Sequence, residues 1–124
     1  MKTRTTLIGA TALGLALLSG CATQPKTLYY WGNYQGEVYE YLKQPGGGDI
    51  ANQIEELELG ALQAAATNRA LPPGYHAQLG MLYYAQGNID HAVEQLTLEK
   101  TAYPESAVFI DRLLARFKKD KGGA

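Results

Sequence analysis

The chain has 124 residues and a formal net charge of −1, which falls to −3 when Lys2 and Arg4 leave with the first 20 residues; that length fits one modest domain. A near-neutral, mildly acidic balance leaves no basic stripe, so nucleic-acid binding is not expected. With Cys21 as the single cysteine, no intrachain disulfide can form.

Residues 1–20 divide as a signal peptide does, with a basic start at Lys2 and Arg4, an apolar stretch from Leu7 to Leu18, and small residues before Cys21. The apolar run is interrupted by Gly9, Thr11 and Gly14 and is too short to span a bilayer, which takes about 20 residues. Leu18-Ser19-Gly20-Cys21 resembles the bacterial lipoprotein box. The resemblance implies cleavage before Cys21, a diacylglycerol on its thiol and a further acyl chain, such as palmitate, on the new amino terminus. Several acyl chains anchor stably where one gives marginal binding. Ala22 stands where an aspartate would resemble the inner-membrane retention signal. The expected location is therefore the outer membrane, facing the periplasm. Residues 21–28 lack apolar periodicity and are expected to form a lipidated tether.

The domain is expected over residues 29–121. It opens on an aromatic centre holding Tyr29, Tyr30, Trp31, Tyr34, Tyr39 and Tyr41. A helix is expected from Asn33, with Tyr34, Val38, Tyr41 and Leu42 on one face, ending before Pro45 and Gly46-Gly47-Gly48. Trp31, Tyr34 and Tyr41 are expected in the core; Tyr29, Tyr30 and Tyr39 do not fit that face and are candidate interface residues. The glycine run has no preceding strand and no following Lys-Ser or Lys-Thr, so it is a turn and not a phosphate loop. Asp49 is placed to cap a second helix over residues 50–69, with Ile50, Ile54, Leu57, Ala61, Ala64 and Ala65 along one stripe and Glu55, Glu56 and Glu58 on a solvated face.

After Pro72-Pro73-Gly74, two amphipathic helices are expected over residues 74–86 and 89–103, joined by Gly87-Asn88. Leu79, Leu82 and Tyr83 point inward; Gly80 admits the second helix, with Ala92 as its small partner; Ile89, Val93, Leu96, Lys100 and Tyr103 complete the contact stripe. Pro104 stops the pair, and a last helix covers its open end with Ile110, Leu113, Leu114 and Phe117. Leu79, Gly80, Tyr83, Gly87, Ala92, Leu96 and Pro104 fall at spacings that resemble a tetratricopeptide repeat of about 34 residues. His76 and Glu99 depart from that pattern, the latter standing where a small residue is usual. Residues 31–69 resemble a degenerate second repeat. The fold expected is all-α, of tetratricopeptide-like hairpins, with about five helices.

The resemblance implies a concave groove lined by Gly74, Ala77, Gln78, Met81, Tyr84 and Ala85, none of them charged. A groove of that kind suits an apolar peptide or helix rather than a terminal carboxylate. Gln78, Met81 and Tyr84 in the groove, with Tyr29, Tyr30 and Tyr39 beside it, are therefore the candidate protein-binding residues. His76 and His91, the two histidines, have no cysteine nearby and no zinc-type spacing, and no Ser-His-Asp set can be assembled. Neither an enzyme nor a metal or other cofactor is expected.

YYWGNY, PPGYHAQLG, GN, EK and YPES together resemble a family of small uncharacterised bacterial lipoproteins, a domain of unknown function. That resemblance implies an envelope complex, because genes of the family often lie beside one for a lipoprotein similar to the curli-secretion channel. The expected function is that of a protein-binding accessory or assembly factor tethered to the outer membrane. A second expectation is a lipoprotein that uses the Tyr/Trp cluster to bind a small ligand or glycan, such as cell wall or an exported polymer.

Overall fold

A computed structural model of the chain describes residues 27–123, so Cys21, the signal segment and most of the tether lie outside the described residues. Five α-helices follow one another: α1 (Tyr34–Lys43), α2 (Ile50–Ala66), α3 (Tyr75–Ala85), α4 (Ile89–Ala102) and α5 (Ala107–Gly122). Short 3-10 turns, Pro45–Gly47 and Pro104–Ser106, precede α2 and α5. The all-α class with about five helices is the one expected from the sequence. The β pairing among the described residues is an isolated parallel bridge between Tyr29 and Ala70.

Helix ends follow local chemistry. Asp49 caps α2 as expected, its carboxylate accepting from the Asn52 amide at 3.1 Å. The helix stops at Ala66, three residues before the expected end. Asn68 takes a left-handed backbone (φ 51°). Its amide donates to the Ala65 carbonyl while the Arg69 amide donates to that of Ala64, a paired closure of the last turn. The same closure ends α3, where Gly87 (φ 85°) lets the Gly87 and Asn88 amides donate to Tyr84 and Tyr83 carbonyls. Asn88 then caps α4 by accepting from the His91 amide. The Gly87 backbone and the Asn88 side chain together turn the chain in three residues, Gln86 to Asn88.

Each helix packs chiefly on its neighbour in sequence, most extensively α3 on α4, then α4 on α5. Leu57, Tyr75, Leu79, Leu82, Ala92, Leu96, Ile110 and Phe117 form the buried centre, with Ile54 and Tyr83 at its margin. Each large apolar side chain contributes about 1.5–3 kcal/mol by leaving water. Gly80 sets the spacing of the α3–α4 hairpin: a Cβ there would lie 3.0 Å from Leu96 Cγ and 3.2 Å from the Ala92 carbonyl oxygen. The expected contact of Gly80 with Ala92 is thus made to that residue's backbone, and Leu96 fills the space.

Three expected core positions differ. Trp31 is 38% exposed, because it precedes α1 and its ring lies against Tyr34 and Tyr29 rather than between helices. Ala65 is exposed; Gly60 and Gln53 are buried on α2 instead. Lys100 turns to solvent to pair with Asp111 of α5 at 2.6 Å.

Candidate functional site

The outward strip of α3 begins at a helix start that lacks a side-chain cap of its own. Glu99 of α4 supplies one from across the hairpin. Its carboxylate, 2% exposed, accepts from the Gly74 amide at 2.6 Å and from the Ala77 amide at 3.3 Å. Anionic oxygens are favoured at a helix start, where amides point outward without partners. Among the described residues no lysine or arginine pairs with Glu99. Glu99, which departs from the resemblance drawn from the sequence, is therefore the clasp that fixes where α3 begins.

Beyond that clasp, Ala77, Gln78, Met81 and Tyr84 are all half-buried. Ala77, Met81 and Tyr84 pack onto the core, and the Gln78 amide nitrogen is enclosed with no acceptor among the described residues. Tyr84 is more constrained than the sequence indicates. Its ring stacks on Phe117 of α5 with centroids 4.0 Å apart and planes 4° from parallel. Its hydroxyl donates to Asp120, and Arg116 lies 6.0 Å from the ring. The Asp120 hydrogen bond, then burial and the Asp120 charge, raise the Tyr84 hydroxyl above its ordinary pKa, with Arg116 opposing. One face of Tyr84 is thus covered by the chain itself.

The three tyrosines expected beside this strip separate. Tyr29 and Tyr30 are half-buried and belong to a strap formed by residues 27–30, which crosses the end of α2. The Tyr30 amide donates to the Ala70 carbonyl at 2.8 Å, and the Tyr30 hydroxyl donates to Gln63. Arg69 grips the strap through the Thr27 carbonyl and hydroxyl and the Tyr29 carbonyl, and lies 5.5 Å from the Tyr30 ring. Residues 27 and 28, placed in the tether by the sequence, are thus held against the helices. Tyr39 stands apart on α1, 61% exposed, with the Lys43 ammonium 5.4 Å from its ring centroid.

An aromatic row that sequence reasoning missed connects these parts: Tyr103, Tyr29, Trp31, Tyr34 and Tyr75 follow ring to ring, with centroid separations from 5.1 to 6.3 Å. Two ends of the row are fixed by hydrogen bonds, Tyr75 donating to the Leu57 carbonyl at 2.6 Å and Tyr103 donating to that of Leu71. Burial raises both hydroxyls to about 12, assisted chiefly by Tyr30 for Tyr75 and by Tyr29 for Tyr103. They stay protonated donors at physiological pH. Tyr29, Trp31 and Tyr34 belong to the aromatic centre marked in the sequence, whereas Tyr75 and Tyr103 join it only through the fold.

Two open hollows flank His76. One, about 480 Å³, lies between the strap and the ends of α3 and α4, against Leu28, Tyr29, Leu71 and Tyr103. The other, about 390 Å³, lies between α2, α3 and α4, against Glu58, Leu62, Leu79 and Gln95. His76 itself is held by Gln95 Oε1, 2.8 Å from Nδ1. His91 lies elsewhere, stacked 5.1 Å from Tyr83. Among the described residues, no three His, Cys, Asp or Glu side chains are grouped to hold a metal ion. No described helix is long and apolar enough to cross a membrane.

A family model described as a domain of unknown function (DUF4810) matches residues 28–113. The chain belongs to the DUF4810 family. No curated protein and no solved structure matches it significantly. The DUF4810 span opens within the strap that Arg69 holds and contains every candidate binding residue from Tyr29 to Tyr84. It ends at Leu113, within α5, so Phe117 and its stacking on Tyr84 lie beyond the DUF4810 match.

Proposed function

We propose that this DUF4810 protein is a lipid-anchored scaffold of the outer membrane that faces the periplasm and binds a protein partner in an envelope complex, without catalysis of its own. The anchor is the acyl group expected on Cys21. The scaffold is the α3–α4 hairpin, taken as a tetratricopeptide-like unit with α1 and α2 as a divergent neighbour, since a lone hairpin cannot cover its own apolar face. The observation that carries the reading is the outward strip of α3: Ala77, Gln78, Met81 and Tyr84 present no charge, and the Gln78 amide nitrogen lacks an acceptor among the described residues. An extended or helical apolar segment would cover Met81 and the outer edge of the strip. The resemblance drawn from the sequence suggests a curli-secretion-channel-like lipoprotein as that partner.

Met81→Glu tests the strip, with Tyr84 left in place because it packs on Phe117. After crosslinking in intact cells, the variant should lose the protein that co-purifies with the wild type while keeping its helical circular dichroism. Retention of every partner at wild-type yield would remove the strip from the binding surface.

A further inference from the structure

The most concentrated exposed apolar face lies on α1, away from the α3 strip. Trp31, Tyr34, Gln35, Val38, Tyr39 and Leu42 surround a hollow of about 390 Å³. Tyr39 and Leu42 are 61% and 75% exposed. These positions recur at the spacing of one helical face. No carboxylate lines it: Glu37 of the same helix is 6% exposed, and Glu40 is engaged by Gln44 and Lys43. Lys43 borders it, over the Tyr39 ring. Tryptophan, tyrosine and leucine without acids, rimmed by lysine, is the composition that settles at the boundary between headgroups and acyl chains.

Position relative to the tether selects the occupant. Thr27 is six residues from Cys21, a reach of about 20 Å at full extension. From Thr27 the strap is held to Arg69 and Ala70, and Tyr29 meets the Trp31 ring edge-on at 6.3 Å. The aromatic face therefore begins four residues after Thr27, and the strap between them is held by hydrogen bonds to Arg69 and Ala70. A short tether also keeps the local concentration of bilayer high, so a weak interfacial affinity is enough to seat the face. Of the other exposed apolar residues, Leu28 belongs to the strap itself and Leu59 and Leu62 to α2, while Leu98 on α4 and Val108 and Phe109 on α5 have no such link to the strap.

We infer that the α1 face of Trp31, Val38, Tyr39 and Leu42 rests in the phospholipid interface and holds the anchored domain in one orientation. This rests on the proposed lipid anchor at Cys21. Trp31 is the only tryptophan of the chain and reports on the face directly. The full chain, purified from membranes, is reconstituted into phosphatidylethanolamine–phosphatidylglycerol vesicles containing a lipid brominated near its headgroup, and mass spectrometry reads the acyl chains on Cys21. The expected result is an acylated Cys21, Trp31 emission shifted to shorter wavelength and quenched by the brominated lipid, and loss of both effects in a Tyr39→Asp/Leu42→Asp variant of unchanged helicity. Acylated protein whose Trp31 emits as in that variant, unquenched, overturns the inference and leaves the anchor standing. Absence of acyl chains on Cys21 removes the anchor and the inference with it. A shift that appears only when a co-purifying envelope protein is added assigns the face to that protein and also overturns the inference.

Discussion

Replacing Glu99 with alanine should destabilise the protein. The substitution removes the acceptor of the Gly74 amide at 2.6 Å and of the Ala77 amide at 3.3 Å, at a position 2% exposed. A buried donor left without a partner costs about 1–3 kcal/mol, and the longer bond contributes little of that. Loss of the anion at the start of α3 adds about 0.3–1 kcal/mol. Release of a carboxylate from a dry site offsets part of this sum. The net expectation is about 2 kcal/mol, equivalent to a fall of about 8–16 °C in Tm for a domain near 100 residues. Glu99→Gln, which keeps one acceptor oxygen, should lie between. Urea unfolding followed at the helical circular-dichroism minimum measures the difference, with the exposed Glu105→Ala as a control expected within about 0.5 kcal/mol of wild type. Glu99→Ala unfolding at the same urea midpoint as Glu105→Ala would refute the clasp.

The Arg69 grip and the Glu37 carboxyl give two further expectations. Arg69→Ala should loosen the strap alone: the Tyr30 amide, bonded to Ala70, should exchange its hydrogen about tenfold faster, with α3 and α4 amides unchanged. Burial first, then the charges of Glu56 and Glu40, raise the Glu37 carboxyl above its ordinary pKa, against the hydrogen bond from Asn33. The folded state then holds the proton more tightly than the unfolded chain. The contribution of Glu37 to folding is complete below the ordinary glutamate value of about 4.3 and is lost as pH rises through the raised folded value. Glu37→Gln should therefore exceed wild type in urea midpoint at pH 7, with the gap closing at pH 4; a gap that is equal at both would argue against it.

Much of the helical skeleton is legible because its causes are local. Asp49 before Ile50 caps by residue type, Gly87-Asn88 turns by backbone freedom, and the stripe of Leu79, Leu82 and Leu96 follows helical period. Gly80 could be read as a close approach because a missing side chain has few other uses inside an amphipathic helix. The surface was harder to read because its causes are distant. Glu99 looks like a mismatch until Gly74 and Ala77, more than 20 residues earlier, are set beside it. Trp31 looks like core by residue type, but the strap held by Arg69 places it at the rim. Tyr84 reads as groove lining, and only the return of α5 shows that Phe117 covers one face. Cys21 carries the strongest motif in the sequence and lies outside the described residues.

The strap changes how mechanical load enters the domain. A pull on the chain from its amino-terminal side meets Arg69 and Ala70, at the far end of α2, before it reaches Tyr34. Force passes from strap to α2 by way of the Arg69 side chain and the Tyr30–Ala70 bond, and from there into the buried centre. The first helix lies off this line of tension. Such a pull can thus strain the strap without prying α1 from α2.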